Sequence, residues 1–235
     1  MTNMTQLIDA VLLDMDGTIL NSIRSAERVW SAWATRHGLD VESFIPTIHG
    51  VQSVETIRRL GLAGIDPITE AAAITQAEID DVEGIEAIAG AAEFLAILPT
   101  HRWAIVTSAP RELALRRIHA AGLPQPPLLI AAEDVAHGKP APDCFYLAAQ
   151  RLGTTAEKCL VIEDSVAGII AGDRAGATVL VVTATHQQPM DTGHPVIVDY
   201  RDLLVERSAD GEVLIRRVNK DIGQLSGIDF LLSAG

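Results

Sequence analysis

Thiols are nearly absent: the 235-residue chain holds only two cysteines, Cys144 and Cys159. That number argues against a disulfide framework. Their positions, in an expected helix and at an expected strand start, suit reduced, buried side chains. Aromatic residues make up only 4% of the chain, which leaves Ala, Val, Ile and Leu to build the core, as in buried parallel strands. A basic excess is missing as well. The formal charge of −13 argues against nucleic acid and anionic membranes as partners, since both require a basic surface. No apolar run reaches membrane-spanning length, and Met1 to Thr5 lacks the charged and apolar regions of a secretory signal. A cytoplasmic protein, monomeric or a small homo-oligomer, is expected. With 48% hydrophobic residues, the chain suffices for one sizeable domain and a smaller insertion.

Against these absences stands Val11-Leu12-Leu13-Asp14-Met15-Asp16-Gly17-Thr18. A short apolar run reads as a buried strand, and it ends in two carboxylates one residue apart, then a glycine and a hydroxyl. Alternation along an extended segment starts Asp14 and Asp16 on one face, and the turn permitted by Gly17 can re-aim Asp16. One acid could attack while the other moves protons. Taken alone, the segment also fits an exposed strand ending in an Asp-Gly turn.

Three further segments oppose that plainer reading. Ala104-Ile105-Val106-Thr107-Ser108 is an apolar run ending in hydroxyls, Gly138-Lys139-Pro140 fixes a lysine in a rigid turn, and Leu160-Val161-Ile162-Glu163-Asp164-Ser165 is a buried strand ending in acids. In open α/β sheets the ligand crevice lies beyond the carboxyl ends of the strands, where distant parts of the chain converge. The order Asp-x-Asp-Gly-Thr, Ser/Thr, Lys, Glu-Asp resembles the four signature motifs of the haloacid dehalogenase superfamily, and the resemblance extends from about Leu7 to Val182.

Strand and helix patterns alternate, with strands expected near Ala10–Leu13, Trp103–Thr107, Leu128–Ile130, Cys159–Ile162 and Thr178–Val182. This is an α/β pattern, a doubly wound parallel sheet. Glu112–Ala121 and a helix capped by Ser165 read as scaffold. Between the first two strands, Ser22–His37, Val54–Leu60 and Pro67–Asp81 read as helices with no convincing strand among them. Residues 20–84 are therefore expected to form an all-helical domain inserted into a core made of 1–19 and 85–235. The resemblance implies that this insertion is the small cap that closes over the active site. Toward the end, a hairpin is expected around Ala209-Asp210-Gly211. Residues 222–235 show no period and read as a surface-packed or frayed tail.

The chemistry follows from the residue types. Asp14 is the expected nucleophile, because a carboxylate can take a phosphoryl group as an aspartyl phosphate that water then hydrolyses. Asp16 would protonate the leaving alkoxide and deprotonate the attacking water. A phosphate dianion near Asp14 meets repulsion of about 4 kcal/mol per unit-charge pair, so local positive charge is needed. Lys139 would supply part of it. Mg²⁺ would supply the rest, held by Asp14, the backbone carbonyl of Asp16 and Asp164, with Glu163 as a direct or water-mediated ligand. The competing reading of Glu163-Asp164 is an acid pair favoured at a helix N-terminus. Either Ser108, which is preferred, or Thr107 should hydrogen-bond the phosphoryl oxygens, with Ala109 in the same substrate-binding stretch.

The resemblance also bears on specificity. His49-Gly50-Val51-Gln52 is similar to the specificity loop of caps in sugar-phosphate and glycerol-phosphate phosphatases, which implies that His49, Gly50 and Gln52 meet the organic part of the substrate. A solvated loop histidine is the competing reading, and Arg58 and Arg59 are weaker candidates for the same role, since helix-surface arginines are commonly just solvated. Asp16 argues against a dehalogenase, which needs no acid for an alkoxide. The lack of any lysine in 20–84 argues against a Schiff-base phosphonate hydrolase. A β-phosphoglucomutase is the nearest competitor, but Ala26 and Gln52 stand where such mutases carry histidine and arginine. A binding protein on a dead enzyme scaffold is opposed by intact Asp14, Asp16, Lys139 and Asp164. The expected function is Mg²⁺-dependent hydrolysis of a small phosphorylated metabolite, a sugar or polyol phosphate.

Overall fold

The computed structural model describes residues 5–48, 51–219, 224–225 and 229–232. Six strands, β1 (Ala10–Leu13), β2 (Trp103–Val106), β3 (Leu129–Ile130), β4 (Cys159–Glu163), β5 (Thr178–Val182) and β6 (Val196–Ile197), form one sheet in the order β3-β2-β1-β4-β5-β6. All its pairings are parallel. The three central strands β1, β2 and β4 are buried along their whole length, which explains why they read as continuous apolar runs rather than alternating ones. From β1 the chain builds β2 and β3 on one side, then returns to build β4 to β6 on the other. A switch of this kind opens a crevice at the carboxyl ends of the strands.

Register decides what faces that crevice. Leu13 pairs with Ile105 on one side and Ile162 on the other, so Asp14, Thr107, Glu163 and Asp164 all emerge at the same edge. Side chains alternate across β1, with Val11 and Leu13 in one apolar cluster and Ala10 and Leu12 in another. Helices α5 (Ala91–Ile97) and α6 (Arg111–Ala120) pack on the first cluster, and α7 (Asp143–Arg151) and α8 (Val166–Arg174) on the second. The expected cap of α8 is observed: Ser165 Oγ accepts the Gly168 N–H at 3.1 Å.

Between β1 and β2 lie α1 (Ile23–Arg36), α2 (Val41–Phe44), α3 (Ser53–Leu60) and α4 (Pro67–Asp80). They bury a separate apolar cluster around Trp30, Trp33, Phe44, Ile57 and Ile74. Asp66 caps α4 by accepting the Thr69 N–H at 3.0 Å, with Pro67 at its first position. Where this helical segment leaves and rejoins the sheet, Leu20–Asn21 pairs antiparallel with Glu86–Ala87, two short strands that the sequence pattern does not announce.

A second sheet holds the expected hairpin, Leu203–Arg207 paired antiparallel with Val213–Asn219. The reading of 222–235 as a surface or frayed tail is corrected at 229–232. Asp229–Leu232 is a strand between Val213–Asn219 and Thr5–Ile8. Phe230 and Leu232 are buried in the same cluster as Val11 and Leu13. A strand of four residues is too short to show a period. Cys144 and Cys159 are free and buried, as expected. Among the described residues no helix is long and apolar enough to cross a membrane.

Candidate active site

Lys139 organises the floor of the crevice. Its ammonium donates to Asp14 Oδ1 at 2.5 Å, Glu163 Oε1 at 2.7 Å and the Val106 carbonyl at 2.9 Å, and lies 5.4 Å from the Phe145 ring centroid. The side chain is only 4% exposed. A buried ammonium with all three protons satisfied is a fixed charge rather than a waving surface lysine. Burial pulls Lys139 down, but Asp14 and Glu163 outweigh it and hold it above its ordinary range.

The acids around it are crowded. Oxygens of Asp14, Glu163 and Asp164 all lie within 4.8 Å of one another. Burial, reinforced by Glu163, pushes Asp14 up to about 7 even against Lys139. Burial followed by the charges of Glu163 and Asp14 raises Asp164 well above the usual carboxylate range. Thr18 Oγ1 stands between the two, 3.3 Å from Asp14 Oδ2 and 3.2 Å from Asp164 Oδ1. Gly17 brings the turn this close: its φ is +84°, and a Cβ there would lie 2.0 Å from Asp164 Oδ2. An all-oxygen, buried, under-neutralised acid set of this kind suits a hard divalent cation such as Mg²⁺.

Glu163 differs from its neighbours. Its Oε1 is bound to Lys139, while Oε2 accepts the Asp164 and Ser165 N–H groups, each at 2.9 Å, and the Ser165 hydroxyl at 3.1 Å. The carboxylate is fully buried and absent from the cavity wall. Gly168 makes room for it, since a Cβ there would stand 1.6 Å from Oε1.

Above the floor opens a cavity of about 770 Å³ between the sheet edge and the helical segment. The expected residues Asp14, Asp16, Thr107, Ser108, Ala109, Lys139 and Asp164 line it from the sheet side, and Gln52 from the helical side. Thr107 is buried and its Oγ1 accepts the Ala109 N–H at 3.0 Å, leaving its own proton free to donate; Ser108 is half-buried. Gln52 lies against the lysine turn, its Nε2 2.7 Å from where a Gly138 Cβ would be. His49 and Gly50 lie outside the described residues. Arg58 and Arg59 do not line the cavity, and Arg59 pairs instead with Glu55 at 3.2 Å.

The sequence reading missed the surroundings of Asp16. Ser22 Oγ donates to its Oδ1 at 2.5 Å, and Arg117 Nη1 donates to its Oδ2 at 3.0 Å. The other arm of Arg117, Nη2, meets Glu78 Oε1 of α4 at 3.2 Å. Burial pushes the Glu78 carboxyl up, with Arg117 opposing. The reading of α6 as plain scaffold is thus corrected at Arg117. A signal was present in the sequence, because Arg117 shares a helical stripe with Leu113 and Ala114, and Glu78 stands one turn after Ile74. A charge on an apolar stripe is costly unless paired.

A doubly wound parallel sheet with acids, a hydroxyl and a lysine at the carboxyl ends of its strands defines the class of α/β protein that carries its chemistry in the crevice there. The haloacid dehalogenase-like hydrolase family matches residues 8–176, and the chain belongs to it. It is 37% identical over 210 residues to hexitol phosphatase A of Escherichia coli, covering 87% of this chain and 97% of that protein. It is also 26% identical over 233 residues to 2-deoxyglucose-6-phosphate phosphatase 2 of Saccharomyces cerevisiae, covering 89% and 95%. The structure of CbbY from Rhodobacter sphaeroides in complex with phosphate shares the fold with a TM-score of 0.72 at 22% identity, covering 82% of this chain and 95% of that one.

Proposed function

We propose that the chain is a Mg²⁺-dependent phosphatase of small sugar or polyol phosphate monoesters, acting through an aspartyl phosphate on Asp14. Residues 20–84 are its cap, and 1–19 with 85–235 its core. The observation that carries the reading is the meeting of Asp14, Asp16, Lys139 and Asp164 around one cavity beneath the helical segment. The hexitol and deoxyglucose phosphate phosphatases among its relatives support the substrate class.

Asp14 attacks the phosphoryl group, and its carboxylate is aimed by the Lys139 ammonium on one oxygen and the Thr18 hydroxyl on the other. The Lys139 charge spreads over the transferring group, and Thr107, rather than the Ser108 preferred from the sequence, donates to a phosphoryl oxygen, because the Ala109 N–H already orients its hydroxyl, with Ser108 beside it. Asp16 gives a proton to the leaving alkoxide and takes one from the water that cleaves the aspartyl phosphate. Asp14, the Asp16 carbonyl and Asp164 would hold Mg²⁺; Glu163, expected from the sequence as a direct or water-mediated ligand, would stand behind them, because its oxygens are already bonded to Lys139 and to the Asp164 and Ser165 amides. When bound, the ion neutralises phosphoryl charge. Ala26 lines the cavity where a mutase would need a proton-handling side chain, which favours hydrolysis over phosphate transfer between sugar carbons.

Phosphate release from hexitol, hexose and glycerol phosphates should appear with Mg²⁺ and vanish in chelator. Calcium should support turnover poorly, because its looser coordination misplaces nucleophile and phosphate. Full activity in thorough chelation would overturn the metal dependence, and wild-type activity in Asp14→Asn would overturn the nucleophile.

A further inference from the structure

Arg117 and Glu78 are charged groups at the cavity to which the reaction above gives no task. Both are only 5% exposed. Arg117 sits on the sheet-facing stripe of α6, and its guanidinium is split between two elements, with Nη1 on Asp16 Oδ2 and Nη2 on Glu78 of α4. Its Nε has no hydrogen-bond partner among the described residues. The preceding residue, Arg116, donates its Nε to the Ile79 carbonyl at 3.3 Å. Consecutive arginines of α6 therefore grip the last turn of α4, one through a side chain and one through the backbone.

Asp16 is held from two directions. Ser22, beside the short strand Leu20–Asn21 where the cap leaves the core, fixes Oδ1, and Arg117 fixes Oδ2. A single hydrogen bond on one oxygen leaves a carboxylate free to turn, whereas a second, charge-assisted one on the other oxygen fixes it from both sides. We infer that Arg117 is a positioning residue that orients Asp16 toward the leaving oxygen, and that Glu78 makes this hold depend on the seating of the cap against the core. With the cap seated, α4 delivers the carboxylate that locks Arg117. With the cap displaced, Arg117 keeps Asp16 alone as a charged partner, and the acid loses its fixed aim. Proton transfer would then be best organised when the substrate is enclosed. The inference rests on the reading of Asp16 as acid and base in a phosphatase.

The test uses leaving-group dependence in the full-length enzyme with Mg²⁺, measuring kcat and KM on a hexitol phosphate and on p-nitrophenyl phosphate. The aryl leaving group needs little proton donation, so an effect exerted through Asp16 must fall unequally on the two esters. Arg117→Lys and Glu78→Ala should each lower kcat on the hexitol phosphate by about tenfold or more and on the aryl ester by less than about threefold. Asp16→Ala should show the same asymmetry on a larger scale. Glu78→Gln, which keeps an acceptor for Arg117, should stay close to wild type. The double variant Glu78→Ala/Arg117→Lys should be no slower than Arg117→Lys alone, because both act through one link. Equal losses on both esters, a change confined to KM, or losses that multiply in the double variant would overturn the inference, as would an unchanged kcat in Glu78→Ala. If Arg117→Lys melts below assay temperature, the Glu78 pair of variants still decides. An Asp16→Ala variant without asymmetry would overturn the role of Asp16 itself, and the inference with it.

Discussion

As the proposed nucleophile, Asp14 would carry two opposing demands, since an attacking carboxylate must be ionised while its neighbours Glu163 and Asp164 are acids in the same buried space. Lys139 cannot balance all three, and Asp14 is accordingly pushed up to about 7, by burial first and Glu163 second. A carboxyl raised on folding gives its full stabilisation below the ordinary value of 3.8 and loses it as pH rises through about 7. The metal-free protein should therefore melt at a lower temperature at pH 8 than at pH 5, by an amount corresponding to a few kcal/mol at most. Mg²⁺ should recover much of the loss at pH 8. Asp14→Asn should abolish turnover, because an amide is a poor nucleophile, yet flatten the pH dependence in chelator because it removes one of the crowded charges. Calorimetry with chelator, then with Mg²⁺, checks the melting behaviour, and a phosphate-release assay checks the loss of turnover. A metal-free melting temperature that rises from pH 5 to pH 8 would contradict the charge crowding.

At the scale of elements, the central strands were legible because strands buried on both faces read as unbroken apolar runs, and β1, β2 and β4 are of that kind. Helices α1, α3, α4 and α6 were legible from their spacing and glycine stops. Leu20–Asn21, Glu86–Ala87 and Asp229–Leu232 were not, because two to four residues cannot display a period and their pairing partners lie far along the chain. The last strand matters to stability. Phe230 and Leu232 are 2% and 0% exposed and join the cluster around β1. Phe230→Ala should cost about 3–5 kcal/mol, the range for emptying a buried aromatic position. A frayed tail would register less than about 0.5 kcal/mol. Denaturant unfolding distinguishes the two, with a fall in midpoint at unchanged slope marking a loss of packing rather than a changed unfolded state.

For the whole molecule, what the sequence could place was the half of the site fixed by strand ends, because a sheet's register carries Asp14, Thr107, Glu163 and Asp164 to one edge whatever the surroundings do. It could not show how the helical segment meets that edge, since the Asp16–Arg117–Glu78 contacts and the approach of Gln52 to Gly138 depend on docking rather than on local pattern. Under the proposed function, specificity belongs to that junction. In the proposed phosphatase, sheet-side groups would serve the phosphoryl group that all substrates share, so discrimination among sugars and polyols would fall to side chains that face them from the helical segment. Gln52 is one such side chain, lining the cavity while lying against the lysine turn. Gln52→Ala should reorder kcat/KM among hexitol, hexose and glycerol phosphates through lost hydrogen bonds worth roughly 0.5–1.5 kcal/mol, about twofold to tenfold in rate. A small aryl phosphate, with no hydroxyls to offer, should be comparatively unaffected. A parallel fall on the aryl ester would instead mean that Gln52 acts by bracing the Lys139 turn, and an unchanged ranking would move discrimination to other residues of the cavity wall.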